Sequence, residues 1–155
     1  MSKAGARRAV RKLPKYEQTI SAALISAREA TIVPMRPKMK EFDVTEPQCR
    51  VMRVLNDRGA VDAGGLAEVG MLHAPSVTRI LKELEARKLV VRETDPEDRR
   101  RSLVALTPSG RELAKTISRD VKRVTAEFSV RFGADRMDRL LNELQAFTAA
   151  IKGVE

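Results

Sequence analysis

Four side chains on one predicted helix have the chemistry needed to contact DNA. They are short hydrogen-bonding groups next to long cations: Ser76, Thr78, Arg79 and Lys82. The opposite face of this helix repeats apolar residues at i, i+3, i+4 and i+7: Val77, Ile80, Leu81 and Leu84. Pro75 stands where the first turn of a helix tolerates proline. A helix with these two faces can lie in a major groove, where its first-turn residues reach base edges.

A predicted β-hairpin follows this helix and carries a second group of charged side chains. Leu89–Thr94 and Ser102–Thr107 alternate like strands and are joined by the segment DPEDRRR. Residues 92–101 contain four arginines and four acids, so the hairpin has no net charge. A purely electrostatic clamp would not contain so many acids. We therefore expect Asp98 to hold a neighbouring arginine in a fixed geometry while another cation projects.

The helix and the hairpin together predict a winged helix-turn-helix. We predict DNA contacts from both parts of this unit: Pro75, Ser76, Thr78, Arg79, Lys82, Asp98, Arg99, Arg100 and Arg101. For the hairpin taken alone, a solvated charged turn is an equal alternative. The polar helix face on the same unit favours DNA contact.

The elements before this helix also have clear sequence signals. Thr45 and Gln48 form a capping box that opens a helix, which should stop near Gly59. Residues 60–61 are expected to add a short strand beside the hairpin. Asp62 is the expected cap of a short helix with Leu66 facing inward.

Long apolar helices flank the winged unit on both sides. Between Thr19 and Met35 only Arg28 and Glu29 are charged, which predicts a helix buried against a second subunit and interrupted near Val33. After Pro108, apolar residues recur at helical spacing on either side of a break at Gly133: Leu113, Ile117, Val121, Val124, Phe128, Met137, Leu140, Leu141, Leu144, Phe147 and Ile151. These seams predict a homodimer, with an intramolecular bundle as the alternative.

The segments SVTRILKELEARKLVVR and DPEDRRRSLVALTPSG resemble the MarR-type transcriptional regulators. Asp98-Arg99-Arg100 matches the wing motif of that family, and Lys88 and Glu97 depart from it where many members have glycine and arginine. The resemblance implies a mainly α, α+β fold, with a winged helix-turn-helix at 45–107 and dimerisation helices at 16–42 and 108–153 in a single domain, 16–155. It also implies that Arg100 enters a minor groove. SAREA in the first helix is similar to the branch that controls aromatic-acid catabolism, which includes homoprotocatechuate-operon repressors.

A small-molecule site is predicted around the first long helix. Burying an unpaired guanidinium is costly, so Arg28 needs an anion, and Ser21 and Ser26 lie near it. An aromatic carboxylate or phenolic effector fits this need, and the resemblance favours it over an ion pair with Glu29 of a partner subunit. Two further residues complete this tentative set: Arg50 and His73. Arg50 has a surface ion pair as its alternative, and His73 a hydrogen-bonded turn.

Composition and charge exclude several classes of function. The 155 residues carry a formal charge of +9. Residues 1–15 contain six basic side chains and no acid, and we expect a basic, disordered arm there. No signal peptide or bilayer-spanning run is visible, so a cytoplasmic protein is expected. One histidine and one cysteine cannot build the usual metal site, and no nucleophile–base pair or phosphate loop is visible. We expect no enzyme activity and no cofactor.

The expected function is a homodimeric repressor that binds a pseudo-palindromic DNA operator and is released by an aromatic acid. Two alternatives remain open. Cys49, next to Arg50, could be the reactive thiol of a redox-sensing repressor, although a lone cysteine in an amphipathic helix is usually inert. The basic charge also suits a nonspecific nucleic-acid-binding helical dimer.

Overall fold

The computed structural model describes residues 15–153 of the chain. The predicted basic arm therefore lies outside the described residues, except for Lys15. The chain divides into two compact units between Pro34 and Met35.

The first unit is built on one helix, α1 (Ile20–Ile32), which a short 3-10 turn at Tyr16–Gln18 precedes. The Thr19 hydroxyl caps α1 by accepting a hydrogen bond from the Ala22 amide at 3.2 Å. The helix ends where Pro34 removes a backbone donor, and a 3-10 turn at Val33–Met35 follows, as predicted. No residue of α1 is buried. Among the described residues, its apolar side chains are therefore left without a buried position.

The second unit starts with α2 (Arg36–Glu41) and α3 (Glu46–Arg58). The predicted capping box opens α3. The backbone amide of Gln48 donates to the Thr45 hydroxyl at 3.3 Å, and the backbone amide of Thr45 donates to the side-chain oxygen Oε1 of Gln48 at 2.9 Å. The chain leaves α3 through Gly59, whose φ of +78° suits glycine.

The winged part comprises β1 (Val61–Asp62), α4 (Ala63–Val69), α5 (Ala74–Ala86), β2 (Val90–Thr94) and β3 (Ser102–Leu106). The three strands form one antiparallel sheet in the order β1-β3-β2. Val61 lies opposite Val104. The short strand begins at Val61 and not at residue 60, one residue later than predicted. Two long helices complete the unit, α6 (Pro108–Phe132) and α7 (Ala134–Ile151). The architecture is the predicted mainly helical winged helix-turn-helix.

The core of the second unit gathers the inner faces of α3, α5, the sheet and the start of α6. The predicted apolar stripe of α5 lies entirely in this core: Val77, Ile80, Leu81 and Leu84. Burying such side chains contributes about 1.5–3 kcal/mol each, which fixes the rotation of α5 about its own axis. The polar face of α5 must then point away from the core.

The two halves of the predicted C-terminal seam differ. In α6, Ile117 is buried in the core, and Leu113 and Val121 pack against it. In α7 no residue is buried, and Leu141 is 50% exposed. The start of α6 thus belongs to the core of the second unit, whereas Leu140 and Leu141 on α7 remain exposed among the described residues.

Three helices of this unit end in the same way, with a left-handed residue that is not glycine. Asp43, Met71 and Lys88 follow α2, α4 and α5 with φ of 51°, 49° and 57°. After α5, the Leu89 amide donates to the Leu84 carbonyl and the Lys88 amide to the Glu85 carbonyl, and the other two ends have the equivalent bonds. This pattern is the Schellman motif, which normally uses glycine at the left-handed position. The helix end before the wing is therefore tight despite Lys88.

Replacing Lys88 by glycine should stabilise the protein. The left-handed conformation costs a non-glycine residue roughly 1–2 kcal/mol, part of which the greater chain entropy of glycine offsets. We expect Lys88→Gly to raise the free energy of unfolding by about 0.5–1 kcal/mol in urea titrations. The control is Lys82→Gly within α5, which should lower it by about 1 kcal/mol. A loss of stability in both variants would contradict the argument.

Candidate nucleic-acid interface

The exposed face of α5 brings the predicted reading residues together. Thr78, Arg79 and Lys82 are exposed, Ser76 is half-buried, and Pro75 lies in the first turn, as its fixed φ allows. The Arg79 side chain is 76% exposed and lies 3.8 Å from Glu83, a distance typical of a weak surface ion pair. Arg79 can therefore reach a partner outside the protein.

A polar contact from α3 supports this face from behind. The buried amide of Gln48 donates from Nε2 to Glu83 Oε2 at 2.8 Å. Gln48 is already tied to the capping box of α3, so this bond fastens α5 to the start of that helix. The sequence identified Gln48 only as a capping residue.

At the tip of the wing, acids organise the backbone. The Asp95 carboxylate accepts from the Glu97 amide at 2.9 Å, and the Asp98 carboxylate accepts from the Arg100 amide at 3.0 Å. The prediction that Asp98 grips a neighbouring guanidinium is therefore wrong. Aspartate side chains in turns commonly bind the backbone two residues ahead, and this turn uses Asp98 in that way.

The arginine that is held in the wing is Arg101, and its partner is Asp62. The Arg101 guanidinium donates to Asp62 Oδ2 and lies 3.9 Å from the Asp95 carboxylate. Asp62 also caps α4, since its other oxygen accepts from the Gly65 amide at 2.7 Å. The Gly65 bond and then Arg101 lower the pKa of Asp62, and Asp62 raises the pKa of Arg101. The sequence showed Asp62 as a cap, but nothing in it linked two residues so far apart.

Two arginines at the tip of the wing have side chains that are available to contact a molecule outside the protein. Arg99 and Arg100 are exposed, and their guanidinium groups have no hydrogen-bond or ion-pair partner among residues 15–153. Together with Arg79 and Lys82 they form the cationic part of the candidate interface.

The five residues predicted to bind an effector are divided between the two units: Ser21, Ser26 and Arg28 belong to the first, and Arg50 and His73 to the second. Ser26 lines an open cavity of ≈ 490 Å³ in the first unit, next to Ile25, Val33 and Glu29. Ser21 and Arg28 lie on α1 outside the lining of this cavity, and both are exposed in the chain. The cavity wall thus offers a hydroxyl, apolar surface and a carboxylate.

The other two effector candidates belong to the helix-turn-helix. Arg50 lies on α3 and donates from Nη1 to the Gly70 and Met71 carbonyls at 3.0 and 3.3 Å. Its Nη2 lies 3.3 Å from Glu46 Oε1, which agrees with the ion-pair alternative. His73 is the exposed N-cap residue immediately before α5, and its side chain makes no capping bond to the helix.

Cys49 is packed in the core with 6% of its surface exposed. Burial raises the pKa of its thiol to about 11, although Arg53 acts in the opposite direction. At neutral pH the thiol therefore stays protonated, and the thiolate is the form that reacts with oxidants. This environment argues against a redox switch at Cys49.

Neither a metal site nor a membrane span is found in the part of the chain that the structure describes. Residues 15–153 contain no group of three or more histidine, cysteine, aspartate or glutamate side chains arranged to hold a metal ion. None of their helices is both long and apolar enough to cross a bilayer.

Several known proteins are similar to this chain in sequence or in fold. The profile of the MarR family matches residues 42–101. The chain is 30% identical over 131 residues to the homoprotocatechuate degradative operon repressor of Escherichia coli, covering 84% of this chain and 88% of that protein. It is 34% identical over 134 residues to the HTH-type transcriptional regulator FarR of Neisseria gonorrhoeae, covering 86% and 91% respectively. The structure of NadR in complex with 4-hydroxyphenylacetate matches with a TM-score of 0.77 at 32% identity, covering 94% of this chain and 100% of NadR.

These similarities extend well beyond the winged unit. They confirm the predicted fold and the resemblance seen in the wing motif, and the relatives are transcriptional regulators rather than enzymes, as expected. The chain belongs to the MarR family of transcriptional regulators.

Proposed function

We propose that this regulator is a homodimeric repressor that binds a pseudo-palindromic operator through α5 and the wing. The observation that carries the proposal is the exposed polar face of α5, held outward by a fully buried apolar stripe. Its first-turn residues read base edges in the major groove. Arg100 enters the neighbouring minor groove, whose narrow A·T-rich form attracts arginine.

Two copies of this unit are needed to read a palindrome. Two-fold geometry spaces the recognition helices about one turn of DNA apart, roughly 34–36 Å. The uncovered apolar side chains of α1 and α7, including Ile25 at 61% and Leu141 at 50% exposure, support pairing through these helices. A second subunit that covers them removes this apolar surface from water.

A competition gel shift tests the DNA-binding part of the proposal. A fragment enriched by the protein from a random-sequence pool should resist an excess of random duplex at moderate salt. Nonspecific phosphate contacts weaken steeply as the salt concentration rises. A protein that binds DNA only nonspecifically would therefore lose affinity for the enriched fragment and for random duplex to the same degree. Equal competition by random duplex would reject sequence-specific repression and favour the nonspecific alternative.

The effector in this proposal is a small aromatic carboxylate or phenolic acid. Its support is the similarity to the homoprotocatechuate operon repressor and to NadR, whose structure contains 4-hydroxyphenylacetate. Arg28 is the proposed partner of the carboxylate, with the apolar wall and hydroxyl around Ser26 close by in sequence on α1. The effector causes release of DNA only if it binds the protein conformation that cannot bind DNA more tightly than the conformation that can.

Thermal shift with a panel of hydroxyphenylacetates, hydroxybenzoates and cinnamates should identify the effector. A ligand present at 100 times its dissociation constant adds about 2.7 kcal/mol to the stability of the protein. We expect such a shift in the wild type and its loss in Arg28→Ala. Arg58→Ala, which removes an exposed arginine at the end of α3, should keep the shift. A shift that survives in Arg28→Ala would place the carboxylate elsewhere.

A further inference from the structure

Two arginines hold helix ends of the same type within the second unit. Each donates to two successive carbonyls at a Schellman end whose left-handed residue is not glycine. Arg50 binds Gly70 and Met71 at the end of α4. Arg87 binds Phe42, at 3.2 Å, and Asp43 at the end of α2. We call these two contacts the Arg50 clasp and the Arg87 clasp.

The chemistry of a clasp suits a helix end that needs support. The last carbonyls of a helix lack partners within it and carry the negative end of its dipole. A guanidinium is cationic and has several N–H groups in one plane, so it can satisfy neighbouring carbonyls together. Met71 has particular need of such support, because its φ is 49° and its side chain is 85% exposed and cannot anchor the turn by packing.

The Arg50 clasp acts on the turn that leads directly into α5. Only Gly70 to His73 separate α4 from α5, so the conformation of this turn sets the direction in which α5 begins. Arg50 itself comes from a rigid element, since Val51, Met52 and Leu55 on α3 are buried in the core. The ion pair with Glu46 one turn earlier further restricts the Arg50 side chain.

We propose that Arg50 is a positioning residue for DNA recognition, which fixes the first turn of α5 through the turn before it. This inference rests on the proposed reading of DNA by α5. Base-edge contacts require placement within about 0.5 Å, whereas phosphate contacts from long cations tolerate more movement. Loss of the clasp should therefore reduce specific binding more than nonspecific binding. Arg50 acts through the backbone and not by touching DNA.

The Arg87 clasp supplies a matched control. Arg50→Met and Arg87→Met each remove one guanidinium from the same kind of helix end and keep most of the aliphatic stem. Both variants should therefore lower the melting temperature to a similar degree. Only Arg50→Met should change the ratio of affinities for the fragment enriched from a random pool and for random duplex. We expect that ratio to fall about tenfold in Arg50→Met and to change less than about twofold in Arg87→Met.

Two more measurements separate positioning from other roles. The salt dependence of binding should keep its slope in Arg50→Met, because the clasp neutralises no phosphate. Amide exchange should quicken at Met71 and Leu72 in Arg50→Met, and at Asp43 and Val44 in Arg87→Met. Arg50→Lys, which retains the charge and can bind a single carbonyl, should recover part of the specificity and allows the test even if Arg50→Met folds poorly.

The possible failures are distinguishable. Equal affinity ratios in the Arg50 and Arg87 variants would show that the clasp is only structural and would overturn the inference. If Arg50→Met lost affinity equally for the enriched fragment and for random duplex, and its affinity depended less steeply on salt, Arg50 would be a phosphate contact. That result would also overturn the inference. A wild-type protein that does not prefer the enriched fragment to random duplex would reject the proposed function itself, and the inference with it.

Discussion

Arg79→Ala should lower affinity for the enriched operator fragment by about 5- to 150-fold, the equivalent of roughly 1–3 kcal/mol. The Arg79 guanidinium is 76% exposed on the outer face of α5, and the only ion pair that the structure gives it among the described residues is the 3.8 Å contact with Glu83. It can therefore form two hydrogen bonds to a guanine without giving up a strong internal contact. Affinity for random duplex should change much less, as fluorescence anisotropy titrations would show.

Two other arginine variants provide the comparison. Arg100→Ala should weaken binding most when the sequence beside the half-site is A·T-rich, because a narrow minor groove strengthens the local negative potential. Arg123→Ala removes an arginine of α6 that pairs with Asp120 and should leave the preference for the operator unchanged. If Arg79→Ala weakened operator and random DNA equally, Arg79 would be a phosphate contact rather than a reader of sequence.

Leu141→Glu should have the largest effect, since it should separate the dimer. Leu141 is a half-exposed apolar residue on α7, a helix with no buried residue in the chain. A carboxylate buried there against a second subunit would lose its hydration without gaining a partner. A monomer retains one recognition helix, so we expect affinity for the palindromic fragment to fall at least about 100-fold. Analytical ultracentrifugation would follow the change from dimer to monomer.

Asn142→Glu is the matched control for this prediction. It introduces the same charge at the next residue of α7, where the existing side chain is already polar and exposed. This variant should remain dimeric and bind DNA as the wild type does. A Leu141→Glu protein that also remains dimeric would exclude this part of α7 from the interface.

The local signals in the sequence were sufficient to predict the framework of the winged unit. The apolar stripe of α5, the capping box at Thr45 and Gln48, and the cap at Asp62 each depend on residues within one or two helical turns. Steric and hydrogen-bonding rules act over that distance, so these helix faces and caps can be predicted from the local sequence alone. Their outcome in the structure matches the prediction.

Contacts between distant residues could not be predicted in the same way. The Arg101–Asp62 pair and the Arg50 clasp join residues 39 and 20 or 21 positions apart, and each depends on how the core brings two elements together. Asp98 illustrates the difficulty, because several neighbouring N–H groups could have donated a hydrogen bond to its carboxylate, and the Arg100 backbone amide is the one that does. The spacing of apolar residues also shows which side of a helix is buried but not what covers it. Ile117 on α6 packs in the core and Leu141 on α7 is exposed, although both residues belong to apolar series with the same helical spacing.

The shared carboxylate of Asp62 has a mechanical consequence. It secures both the beginning of α4 and the guanidinium of Arg101, the residue before β3, so the hairpin is attached to the start of α4 close to its tip loop. Arg99 and Arg100 directly precede this attachment, and their side chains are exposed. We therefore expect the two exposed side chains to adjust to grooves of different width, while the contact between Asp62 and Arg101 holds the hairpin in a constant position relative to α4.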